Sequence, residues 1–112
     1  NPHLATTISL RLEVLERLSV AHRESLYEEK QRLLSNHFSG GKAWFTDSSE
    51  SEKNEFRNDL TFPHPQKSGG SLFCAWHGKV KTPQIRIHIT DPFEYSAYPL
   101  IVVYIGPKIT KR

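Results

Sequence analysis

QIRIHIT, residues 84–90, changes character at every step. Gln84, Arg86, His88 and Thr90 fall on one face of an extended chain, and Ile85, Ile87 and Ile89 fall on the other. This is a strand with one wet face, and its isoleucine face needs an apolar cover. Downstream, LIVVYI at 100–105 is apolar at nearly every position, the pattern of a strand covered on both sides or set in the sheet centre. Upstream, residues 72–77 (LFCAWH) form a mixed strand that reaches a turn at Gly78. The three segments predict an antiparallel sheet.

The cover lies nearer the N-terminus. In residues 10–35, Leu15, Leu18, His22, Leu26 and Leu33 share one stripe at helical spacing, with Val14 and Ala21 beside it. Glu13 with Arg17 and Glu28 with Arg32 are i,i+4 pairs in the favourable order. Asn36 and Gly40–Gly41 supply the stop. One helix, or two joined near Ala21, is expected. The fold class is therefore α+β, a long N-terminal helix packed on a three- to four-stranded antiparallel sheet.

Between helix and sheet, KAWF (42–45) reads as a short strand or plug that buries Trp44 and Phe45. Ser49 followed by Glu52 has capping-box spacing and predicts a short helix over roughly 50–59, with Phe56 and Leu60 inward. FPHPQKSGGS (62–71) carries two prolines and a glycine pair and reads as a hinge loop. The chain is thus expected to be a single domain over 1–112, with a helical half 1–61 and a sheet half 72–112. The start at Asn1 rather than Met is read as a trimmed end or a piece of a longer chain.

Composition narrows the class of partner. Residues 1–60 hold eight Lys/Arg against ten Asp/Glu (−2), whereas residues 61–112 hold seven against two (+5), so the second half points to an anionic partner. The longest apolar run, 100–105, is far too short to span a bilayer, and no membrane partner is expected. A lone cysteine, Cys74, excludes an internal disulfide and suits a reducing, cytoplasmic setting.

The chemistry-bearing residues gather in the basic half. His77, Arg86 and His88 approach one another if strands 72–77 and 84–90 form a hairpin, and Tyr104 stands on the next strand. Lys79, Lys81, Lys108, Lys111 and Arg112 surround them with positive charge. A neutral imidazole takes a 2′-hydroxyl proton, another imidazole protonates the leaving oxygen, and Arg or Lys stabilises the charge that develops. The plainer reading makes the histidines ordinary polar residues of a wet sheet face. Cys74-x-x-His77 with His64 and His88 has the elements of a zinc site, but an ideal strand puts Cys74 and His77 on opposite faces. No metal and no cofactor are therefore expected. VVYIG (102–106) echoes half of a GIY-YIG nuclease signature whose other half is absent. Phe73, Trp76, Phe93, Tyr95 and Tyr98 are either a stacking platform for single strands or core, and core is favoured for Phe73 and Trp76.

Two family resemblances bear on function. TTISLRL (6–12) alternates with strand period ahead of a helix and faintly resembles ribbon-helix-helix DNA binders. The order of helices, strands with Arg86 in the middle one, and a hydrophobic strand ending in the basic tail 108–112 resembles RelE/ParE-type toxins over residues 72–112. The family's first strand is not evident here. That resemblance implies basic sheet residues contacting RNA or a partner protein, with Arg86 and the 108–112 tail as the positions carried over.

The expected function is nucleic-acid engagement, RNA ahead of DNA, with metal-independent ribonuclease activity of toxin-like type resting on His77, Arg86 and His88. The rival is a non-enzymatic interaction module that uses the amphipathic helix and the basic sheet edge to bind a protein partner or a second copy of the chain.

Overall fold

The computed structural model describes residues 2–81 and 83–110. Its elements are α1 (Pro2–Arg23), α2 (Tyr27–His37), β1 (Phe45–Thr46), α3 (Glu50–Glu55), β2 (Thr61–Pro63), β3 (Ser71–Phe73), β4 (Trp76–Val80), β5 (Ile85–Ile89) and β6 (Val102–Pro107), with a 3-10 turn at Tyr95–Ala97. A four-stranded antiparallel sheet has the order β1-β4-β5-β6, and β2 and β3 form a separate antiparallel pair. The long N-terminal helix packs on the larger sheet, so the α+β architecture holds.

The helical segment is two helices. Ser25 adopts a left-handed φ of 57°, its N–H donates to the His22 carbonyl at 3.2 Å, and the Leu26 N–H reaches the Ala21 carbonyl at 2.8 Å. These paired bonds close the end of α1 in the manner usually assigned to glycine. The strand reading of TTISLRL is overturned, because residues 6–12 lie inside α1. Thr6 and Thr7 donate their hydroxyls to carbonyls one turn back, Pro2 and His3. Ile8 and Leu12, four apart, continue the apolar stripe and pack on the core.

That core joins Val14, Leu15 and Leu18 of α1 with Leu33 and Leu34 of α2, Phe38, Phe45, Ile87 and Ile89. The isoleucine face of β5 is its floor. Gly78 lies within β4 opposite Phe45 rather than at a turn. A Cβ there would stand 2.8 Å from the Phe45 ring, so glycine is what lets the ring lie across the strand. β6, expected to be covered on both sides or to lie at the sheet centre, is an edge strand. Its register shifts after the His88–Tyr104 pair, which leaves Val103 as an extra residue, the bulge common at sheet edges. Within the apolar run, Leu100 and Val102 pack on the core and Tyr104 meets Phe62 of the hairpin at 5.8 Å between rings, while Ile105 stays exposed.

Two segments before the sheet half serve it directly. β1 supplies an edge of the main sheet, and residues 62–71 lie in the β2–β3 hairpin, closed by a 2.9 Å bond from the His64 N–H to the Gly70 carbonyl. Ser49 caps α3 as expected, its hydroxyl accepting from the Glu52 N–H at 3.2 Å, but the helix ends at Glu55 rather than near residue 59. No helix among the described residues is long and apolar enough to cross a membrane.

Candidate functional site

The register of β4 against β5 sets His77 directly opposite His88 and Lys79 directly opposite Arg86. Side chains on directly opposed residues share a face, so two imidazoles and two cations come from four positions of one hairpin. The two rings lie 5.4 Å apart, tilted by 35°. Lys108 and Thr110, past the end of β6, and Ser48 and Glu52, before and within α3, close a pocket of about 70 Å³ around them. This space holds a few water-sized groups. It suits a phosphate, and a nucleoside would have to stay outside.

The face is less open than its alternation suggests. His88 is only 3% exposed, because Phe62 of the hairpin lies against it at 5.2 Å between rings and Tyr104 at 5.7 Å. The imidazole forms the pocket floor.

Backbone carbonyls set the tautomers. His88 Nδ1 lies 2.9 Å from the Cys74 carbonyl and His77 Nδ1 lies 3.0 Å from the Ala75 carbonyl. A carbonyl only accepts, so each Nδ1 carries the proton and each Nε2 keeps a free lone pair. Ser48 donates to the same Ala75 carbonyl at 2.7 Å, which anchors the loop before α3 against β4.

Both rings are held neutral. Burial pushes His88 down to about 4, and the nearby His77 and Arg86 act in the same sense against the opposing Cys74 carbonyl. Burial also lowers His77, as do Lys79 and Arg86, while the Ala75 carbonyl and Glu52 pull the other way. With Lys79, Arg86 and Lys108 set against Glu52, the pocket carries net positive charge.

Not every expected residue joins. Lys81 is exposed and borders a different groove. Lys111 and Arg112 lie outside the described residues. Tyr104 turns its hydroxyl away to donate to the Pro107 carbonyl at 2.6 Å. His64 sits in the hairpin turn, its Nδ1 accepting from the Gln66 N–H. Cys74 is buried with its thiol pushed up to about 11, and the described residues contain no grouping of three metal-ligating side chains. Trp76 packs on the core as expected, but Phe73 is 37% exposed beneath the Arg57 guanidinium. Tyr98 stacks on His22 at 4.0 Å, and Tyr95 meets the same ring edge-on.

Three pocket residues were missed from sequence. Thr110 shares strand parity with Lys108 and so has a signal in the sequence, whereas the signals at Glu52 are those of a helix cap and a solvated acidic helix start. Ser48 had none, because its place depends on a carbonyl 27 residues away.

The chain matches no family model, no curated protein and no solved structure.

Proposed function

We propose that this is a nucleic-acid-engaging domain whose pocket takes a backbone phosphate of RNA and cleaves the chain by transesterification without a metal, in the manner of a toxin-like ribonuclease. The supporting observation is the convergence of two neutral imidazoles and three cations on a phosphate-sized space. His77 Nε2 takes the 2′-hydroxyl proton as O2′ bonds to phosphorus. The bond from phosphorus to O5′ breaks, and a lysine ammonium, from Lys79 or Lys108, protonates the departing oxygen. Arg86 stabilises the extra negative charge on the phosphoryl oxygens. His88 offers a second acceptor at the floor. The products are a 2′,3′-cyclic phosphate and a free 5′-hydroxyl.

The test is cleavage of end-labelled RNA in the presence of EDTA. Cyclic phosphate ends should form, a DNA strand of the same sequence should survive, and His77→Ala or Arg86→Ala should each lower the rate by about 10²-fold or more. The melting temperature of Arg86→Ala should stay close to that of the parent. Absence of cleavage, or cleavage indifferent to both substitutions, would overturn the assignment. A protein-binding module remains the second reading, supported by the exposed corner of Leu26 (48%) and Tyr27 (71%). The other leucines of the expected stripe, Leu15, Leu18 and Leu33, lie in the core.

A further inference from the structure

Lys79 belongs to two concavities. Besides the pocket, it borders a groove of about 690 Å³ along the β1 edge of the sheet, between that edge and the first turns of α1. Arg11 reaches down from α1, Lys42 comes from the loop before β1, and Lys81 follows β4. None of the described residues that line the groove is acidic. Lys81 directly follows the last residue of β4 and lines the groove together with Lys79 and Val80. Lys79 therefore links the positive charge of the pocket to that of the groove, where Lys81 adds a second ammonium group.

Arg11 is built into this groove. Its guanidinium lies 4.5 Å from the centre of the Trp44 ring, whose other neighbour is His37 at 4.6 Å. Nη1 donates to the Thr7 carbonyl at a long 3.4 Å, and Nε is buried with no hydrogen-bond partner among the described residues. A guanidinium fixed by an aromatic face brings a positioned positive charge to the groove wall, where an anion would meet it. Trp44 is already engaged by Arg11, His37 and the core, so the ring serves as support and is not a free surface for a base.

We infer that the groove is a second phosphate subsite that holds the single-stranded RNA flanking the scissile linkage, with Arg11, Lys42 and Lys81 as its contacts. This rests on the reading of the pocket as a phosphodiester site and adds a requirement for length: a substrate longer than a dinucleotide binds through both. A single strand is specified because attack by O2′ in line with the bond to O5′ needs a backbone free to leave duplex geometry.

The experiment measures binding of a 2′-O-methyl oligouridine of about a dozen nucleotides, which cannot be cleaved, across a salt series. The parent is compared with Lys42→Gln/Lys81→Gln, both exposed positions whose replacement leaves the core untouched. Loss of two phosphate contacts on a single strand should reduce the slope of log K against log salt by about 1.4 and weaken binding at low salt. An unchanged slope overturns the groove assignment, as does absence of binding by the parent. Binding of polyglutamate with the same dependence on Lys42 and Lys81, when the oligouridine does not bind, also overturns it and assigns the groove to acidic polypeptide. Cleavage of the dinucleotide UpA by the parent, measured separately, reports on the pocket alone, so the two readings fail independently.

Discussion

His88 shows how one residue takes on a different character once its neighbours are in place. In sequence it is a polar residue on the wet side of a strand. In the fold it is almost fully enclosed, bonded through Nδ1 to the Cys74 carbonyl and unwilling to take a second proton. Between the ordinary value of 6.5 and about 4, the unfolded chain binds a proton on this ring that the folded chain refuses. Stability is therefore complete above 6.5 and falls as pH drops through that window, on the order of 3 kcal/mol from this ring alone. His77 and His37 are also lowered by burial and add in the same direction. Thermal melts between pH 7 and 4 should show this decline, and His88→Gln should flatten it. A slope that the substitution leaves unaltered would mean the proton is taken up elsewhere. The same ring cannot deliver a proton near neutrality, which leaves the acid step to a lysine.

Among the elements, β4 depends most on a single position. Its pairing with β1 brings the Phe45 ring over Gly78, and that ring is fully buried, with no solvent to retreat into. Gly78→Ala puts a methyl where Phe45 already is, and overpacking of this sort costs about 1–3 kcal/mol. Chemical denaturation should show a lower midpoint with an unchanged slope. The functional consequence follows from register: Gly78 lies between His77 and Lys79, so a shifted β1 edge would move the pocket wall as well. The break between α1 and α2 carries the opposite lesson. Ser25 does what a glycine would announce, and Glu24–Ser25 has no sequence mark that distinguishes it from the interior of a helix. The Schellman bonds there depend on both helices finding the same core.

For the whole molecule, the hairpin β2–β3 is the part that turns a sheet face into a site. Phe62 covers His88 and meets Tyr104, coupling the small sheet to the large one. Phe62→Ala should cost about 3–5 kcal/mol, as truncations of buried phenylalanine do. It should also let water reach the floor and return the His88 titration toward 6.5. Proton NMR of the imidazole signals checks this directly; a ring that still titrates near 4 would show that Phe62 is not what desolvates it. The basic half of the sequence is likewise assembled with parts of the acidic half, because Ser48 and Glu52 complete the pocket and Arg11 and Lys42 line the adjoining groove.

Local pattern was enough for the α+β class, the isoleucine face of β5, the capped start of α3 and the grouping of His77, Arg86 and His88 on one side. Each follows from side-chain period or from a cap reaching three residues along, and such information travels with the chain itself. Sheet order, the edge position of β6, the burial of His88 and the arrival of Ser48 and Glu52 depended on contacts between residues far apart in sequence. Periodicity tells which way a side chain points, whereas what lies in front of it is decided by whichever distant segment packs there.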